Sequence, residues 1–194
     1  MRKVTKNRST AETKISVTLN LDGQGKYTIN TGVPFFDHML CLFAKHAGFD
    51  LIVLAKGDTH VDYHHTVEDI GIVLGEVFRE ALGDKKGIRR YGFWVVPMDE
   101  SQATVVVDCS DRPYLLYQSK LQRGKIGDFP AELIQEFFQA FVNNARVNLH
   151  IIQEIGSNKH HQAEAIFKAF ARSLSMAVQK DGKSKSVPST KGVL

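Results

Sequence analysis

The sequence predicts an α+β fold made of two duplicated halves. Each half runs strand-strand-helix-strand-helix, forms a sheet with helices on one face, and is related to the other by a pseudo-two-fold axis. Three observations predict this. The segment Asp62-Tyr63-His64-His65-Thr66-Val67-Glu68 returns as Asn158-Lys159-His160-His161-Gln162-Ala163-Glu164, so a slide of 96 positions lays His64 on His160. The same slide lays Ile70 on Ile166, Leu74 on Phe170, Phe78 on Leu174 and Ala81 on Ala177, the core-facing positions of two amphipathic helices. Upstream of each of these helices the same order of helix and alternating apolar strand recurs, which is the pattern of an α+β unit.

The elements follow in order. Thr13 to Leu19 alternates strictly, and Asp22-Gly23-Gln24-Gly25 turns the chain into Lys26 to Ile29, which reads as a hairpin. A helix from Phe35 to Ala47, a strand from Phe49 to Leu54 and the helix opened by His64 complete the first half. The halves join near Gly83 to Gly87. The second half offers strands at Gly92–Val96, Ala103–Val107 and Tyr114–Tyr117, then a helix from Pro130 to Ala145. Pro130 in the first turn and Glu132 soon after suit a helix start. The strand Val147–Ile152 and the second His-His helix finish it. Each half is shorter than ~100 residues and has one uncovered helical layer, so the two are expected to pack as a single domain. Its halves span about 1–86 and 87–180, with a C-terminal tail at 181–194.

Composition excludes several classes. No segment approaches the ~20 apolar residues that cross a bilayer, so no membrane role is expected. The basic start, Met1 to Lys6, has no apolar stretch behind it and does not read as a secretory signal. Cys41 and Cys109 are too few for a disulfide framework, which fits a cytoplasmic location. The formal charge of +4 is modest, and its excess sits largely in the Gly/Ser/Lys-rich tail. Lys180–Lys185 reads as a solvated, mobile end. The remaining cations are scattered rather than striped, so no nucleic-acid partner is expected, while anionic small molecules remain open.

The repeated motif carries the chemistry. Residues four apart share a helix face, so His64 with Glu68, and His160 with Glu164, can each grip one metal ion. The second histidine of each pair, His65 or His161, is rotated by roughly 100° and can serve a second ion. Imidazole and carboxylate donors without thiolate suit Zn, Mn, Fe or Ni. Two histidines and a glutamate leave a coordination sphere incomplete, and His38 and His150 are the further candidates. Asp37 can orient His38. One partition gives an ion His64, Glu68, His150 and a histidine of the second copy, and the other ion His160, Glu164, His65 and His38. Whether the copies meet within one chain or between neighbours is left open by the spacing.

A family resemblance covers nearly the whole chain. Its motifs are Arg8 through Thr13, Phe36-Asp37-His38-Met39-Leu40, Gly57-Asp58, Asp62 through Asp69, Gly83-Asp84-Lys85 and Pro97-Met98-Asp99-Glu100. They continue with Arg112-Pro113, Gly156 through Lys168 and Ser189-Thr190-Lys191-Gly192. With these motifs in this order the chain resembles the imidazoleglycerol-phosphate dehydratases of histidine biosynthesis. The resemblance implies a hydro-lyase, two Mn(2+) per active site, and a homo-oligomer of 24 subunits with metal sites where subunits meet. The small phosphorylated substrate, D-erythro-imidazole glycerol phosphate, loses water to give imidazole acetol phosphate, through an imidazolate and a diazafulvene-like intermediate. Glu12, with Glu68 and Glu164, is implied as the catalytic carboxylate set. Arg90, Arg112, Lys168, Ser189 and Lys191 are implied as a phosphate cradle, and His46 as a lining residue, so the last tail residues are expected to order over the substrate. One departure stands out: Asp111 replaces a glycine in the family's Ser-Gly-Arg-Pro, at a turn where Asp tolerates positive φ better than most residues.

Two rival readings are weaker. A binuclear phosphate-ester hydrolase relies on bridging aspartates, whereas the donor set here is rich in histidine. A metal-storage assembly explains the His-His pairs but not the Glu12 motif or the Ser-Thr-Lys-Gly tail.

Overall fold

A computed structural model of the chain describes residues 2–182 and 186–194. Lys183–Lys185, part of the end expected to be solvated and mobile, lies outside the described residues. The first half contains β1 (Lys3–Ser9), β2 (Thr13–Asn20), β3 (Tyr27–Asn30), α1 (Pro34–Ala47), β4 (Asp50–Gly57) and α2 (His64–Leu82). The second contains β5 (Tyr91–Met98), β6 (Ser101–Asp108), β7 (Tyr114–Ser119), a short ribbon of β8 (Lys125–Ile126) and β9 (Phe129–Pro130), then α3 (Leu133–Ala145), β10 (Asn148–Ile155) and α4 (Lys159–Val178). The four-stranded sheets have matching orders, β1-β2-β4-β3 and β5-β6-β10-β7.

Three expectations are corrected. The first half has three strands before its first helix, not two, because β1 pairs with β2 along its whole length; the second has the three strands read from its sequence, β5, β6 and β7, and the ribbon of β8 and β9 besides. Strands β2 and β3 do not form a hairpin: β4 lies between them, antiparallel to β2 and parallel to β3. The loop between β2 and β3 wraps instead around Asp50, whose carboxylate accepts from the backbone N–H of Gln24 and Lys26 at 2.8 and 3.1 Å. Pro130 does not open a helix. It pairs with Lys125 in the ribbon, and α3 begins at Leu133.

The helices lie between the two sheets. Strands β2 and β6 show why: alternate residues such as Val17 and Leu19, or Ala103, Val105 and Val107, are buried against helices. Helix α1 packs on α4 and α2 on α3. Under a two-fold that exchanges α1 with α3 and α2 with α4, the first contact becomes the second, as a pseudo-symmetric duplication requires. Phe43, Phe138 and Phe170 join α1, α3 and α4, with Phe138 and Phe170 edge to face at 5.0 Å and Phe43 and Phe170 stacked at 5.3 Å. The backbones of α2 and α3 approach closely. A Cβ on Gly71 would lie 2.8 Å from the Phe137 carbonyl oxygen, and one on Gly75 would lie 2.6 Å from that of Phe141. Only glycine fits there.

The outward sheet faces keep apolar side chains in the open: Phe93 is 60% exposed and Val106 43%. Among the described residues no helix is long and apolar enough to cross a membrane.

Candidate metal centre

Both histidine pairs sit at helix N-termini and are set by the same local device. The Asn158 side chain accepts from the His160 N–H at 2.9 Å, and Asp62 accepts from the His64 N–H at 2.7 Å. These contacts satisfy N–H groups that an α-helix leaves free at its start. Buried Asp69, just past Glu68, fixes the first copy to its sheet by accepting from Arg8 at 3.0 Å and from the Thr13 hydroxyl at 2.5 Å.

The α4 copy forms a compact cluster. Glu164 Oε1 lies 3.0 Å from both His160 Nε2 and His38 Nε2, while Oε2 accepts from Lys168 Nζ at 2.5 Å. His38 reaches this point from α1 because α1 packs on α4. Burial pushes the Glu164 carboxyl up, but hydrogen bonds from Lys168, His38 and His160 outweigh it and hold its pKa at about 2. The carboxylate is therefore ionised throughout the physiological range. The donor atoms of His38, His160 and Glu164 lie within 4.8 Å of one another, the one such group among the described residues. Two imidazole nitrogens and a carboxylate oxygen converging in this way fit a divalent transition ion.

The α2 copy is open. His64 Nε2 and Glu68 Oε2 stand 3.9 Å apart, both side chains nearly half exposed. The second histidines turn aside as helical spacing requires. His65 Nδ1 meets Asp58 Oδ2 at 3.0 Å, and His161 Nδ1 meets Glu100 Oε2 at 2.8 Å. Hydrogen bonding to Asp58 raises the His65 pKa, and hydrogen bonding to Glu100 raises that of His161. The same His65 contact lowers Asp58. The His161 bond, reinforced by the Asn158 and Ser157 N–H groups, holds Glu100 well below the usual carboxylate range. A carboxylate on Nδ1 fixes the tautomer and leaves Nε2 free to bind. Asp58 and Glu100 were not among the expected site residues. Their signal in the sequence was their place in the Gly57-Asp58 and Pro97-Met98-Asp99-Glu100 motifs.

The other expected residues distribute as follows. Glu12, in the turn between β1 and β2, lies 3.8 Å from His65 Nε2 and so belongs beside the first pair. His46, on α1, has its pKa lowered by burial and then by Lys168 and Arg172, which places a neutral imidazole near the α4 cluster. His150 lies on the outward face of its sheet, in register with Val106 and Leu116, away from α4. Its ring centroid is 5.9 Å from that of Tyr114. Within one chain, therefore, neither His65 nor His150 joins the ligand group of its expected partition.

Arg90, Arg112, Ser189 and Lys191 line one cavity of about 380 Å³, together with Ser110 and Asp111. Asp108 holds the Arg90 guanidinium through bonds of 2.7 and 3.1 Å, and the Pro188 carbonyl accepts a third at 2.9 Å. Arg112 is 73% exposed and 3.8 Å from Asp108, free to turn toward a ligand. Lys168 does not line this cavity: its ammonium is engaged by Glu164.

A sequence model of the imidazoleglycerol-phosphate dehydratase family matches residues 31–174. The chain belongs to this family. The imidazoleglycerol-phosphate dehydratase of Pelobacter propionicus is 58% identical, covering 100% of this chain and 99% of the relative. That of Bacillus pumilus is 57% identical over 100% of both. The crystal structure of imidazoleglycerol-phosphate dehydratase from Staphylococcus aureus superposes with a TM-score of 0.83 at 46% identity, covering 92% of this chain and 99% of that one. IGPD from Pyrococcus furiosus, solved in complex with (S)-C348, gives 0.82 at 36%, covering 97% and 100%. The chain is thus an imidazoleglycerol-phosphate dehydratase, a hydro-lyase of histidine biosynthesis, and its α+β fold is that of the family.

Proposed function

We propose that this dehydratase is metal-dependent and converts D-erythro-imidazole glycerol phosphate to imidazole acetol phosphate. The observation that carries this reading is the convergence of His38, His160 and Glu164, whose donors lie within 4.8 Å of one another. These three residues would hold one ion. His64, Glu68 and His150, with His65 and His161 presented from neighbouring subunits, would complete that site and a second. The proposed cofactor is two Mn(2+) per active site, or related divalent ions, supplying Lewis acidity that eases loss of the ring proton.

The chain's own residues then act on the substrate. The histidine-rich face orients the imidazole, and Arg90, Arg112, Ser189 and Lys191 bind the phosphate, arginine through paired N–H donors and lysine as a point charge. Lys168 supports from the side, keeping Glu164 ionised while adding positive charge near the ring. Electrons from the imidazolate expel the C3 hydroxyl, which leaves as water with one proton, giving the diazafulvene-like intermediate; loss of the C2 proton with return of a proton to the ring nitrogen gives the enol that becomes the ketone. Glu12, 53% exposed beside His65, is the carboxylate assigned to that proton or to the hydroxyls of the arm.

Sites shared between subunits tie metal to assembly. The proposed 24-subunit particle draws support from the uncovered apolar sheet faces and from His150 standing on one of them. A cytoplasmic enzyme of this kind is tested by elemental analysis paired with product analysis. A stoichiometric divalent ion and a phosphate-retaining ketone are expected. Metal-independent turnover or release of inorganic phosphate would overturn the reading.

A further inference from the structure

A second cavity, of about 730 Å³, adjoins the proposed phosphate pocket, and Asp111 lines both. Three cations face Asp111 from the larger cavity, and none of them lines the phosphate pocket. Arg79 Nε and Lys85 Nζ each stand 3.4 Å from Oδ1, and Arg146 Nε stands 3.2 Å from Oδ2. Arg146 also donates to the Asp111 carbonyl at 2.9 Å, so it holds the backbone as well as the side chain. Lys85 is 6% exposed and has little freedom to leave. Asp111 itself adopts φ +59°, in the turn that carries Ser110 and Arg112 into the phosphate pocket.

A carboxylate at the wall of a phosphate site is a liability, since like charges repel most strongly where water is partly excluded. We infer that Arg79, Lys85 and Arg146 are positioning residues that draw the Asp111 carboxylate away from the phosphate pocket and so keep that pocket cationic. The inference rests on reading the smaller cavity as the phosphate site. The cage acts on substrate affinity and not on the chemical step.

Arg146 and Asp111 both have positive φ, at +54° and +59°. Glycine therefore deletes either side chain without backbone strain. Arg146→Gly should raise KM on the order of tenfold with kcat nearly unchanged, because it frees the carboxylate toward the pocket. Adding Asp111→Gly should return KM close to the original value, a rescue that loss of structure would not show. Arg79→Ala, half exposed on α2, should give a smaller rise that Asp111→Gly also cancels, and it carries the test should Arg146→Gly fold poorly. An unchanged KM in the folded cage variants, or no rescue by Asp111→Gly, would overturn the inference. Arg112→Ala separates the two readings. If it leaves KM unchanged, the phosphate pocket is misassigned; if it raises KM while the cage variants do not, only the cage is wrong.

Discussion

The two HHxxE copies are alike in sequence and unlike in space. At α4 the glutamate is buried, ionised and shared by two histidines and a lysine. At α2 the equivalent pair is 3.9 Å apart and open to solvent. The slide that aligns the motifs accounts for part of the difference, because it lays Lys168 on Ile72; between α1 and α3 the offset is 98, as β4 and β10 also show, and it lays His38 on Glu136. The lysine that closes the α4 cluster has an apolar counterpart in α2, and the first helix of the second half presents a carboxylate where α1 presents His38. A duplicated motif thus preserves the donors while the surrounding positions decide which copy is preassembled.

The largest test of this contrast is the removal of each glutamate. Glu164→Gln should abolish the proposed metal site of the isolated chain and lower turnover by more than about 100-fold. Glu68→Gln should leave one tightly held ion per dissociated chain, and Mn(2+) titration followed by electron paramagnetic resonance would count it. Equal losses in dissociated chains would erase the proposed asymmetry.

The next effect concerns the carboxylates behind the second histidines. Asp58→Asn or Glu100→Gln should weaken metal binding about 10- to 100-fold, with Glu100 the more damaging because it also ties down Ser157 and Asn158 at 3.1 and 2.8 Å. The sign with pH follows from the raised pKa values of His65 and His161. Below those values the ring holds a proton that an ion must displace, so apparent affinity rises with pH through them and then levels. In metal-free protein the contacts of His65 with Asp58 and of His161 with Glu100 stabilise the fold fully below the ordinary pKa of 6.5, and that contribution fades as pH rises through the raised values. Metal titrations and unfolding curves over a pH series would check both signs.

Lys168→Met should act on one copy alone. The Glu164 pKa of about 2 lies below its ordinary 4.5, so its stabilisation is present above 4.5 and lost as pH falls toward 2. Without the ammonium that loss begins at higher pH, visible as earlier acid unfolding. The smallest effect is at the N-cap of α4: Asn158→Ala should cost about 1 kcal/mol of stability, read by thermal denaturation.

The helices and their histidines were legible because period and spacing are strong where one helix face is buried. Strand β1 was not: Lys3–Ser9 is polar apart from Val4, lies at a sheet edge and shows no apolar alternation. The place of β4 between β2 and β3 is a long-range pairing that a turn sequence such as Asp22-Gly23-Gln24-Gly25 does not encode. Pro130 carried a sound helix-start signal that the ribbon pairing overrode. In the site, the i, i+4 pairs could be read from spacing, whereas His38 with Glu164 and Asp58 with His65 depend on how separate elements pack.

The reciprocal helix contacts, α1 on α4 and α2 on α3, bear on how such a chain could arise. A lone half would leave its helix layer bare, and a second copy turned by the same axis would cover it, as in an isologous dimer. Fusing two such copies would have released each from matching the other residue for residue. Once no mutation had to be accepted twice, a lysine could enter at one motif and an isoleucine at its twin, and one ancestral surface could become two unequal ones.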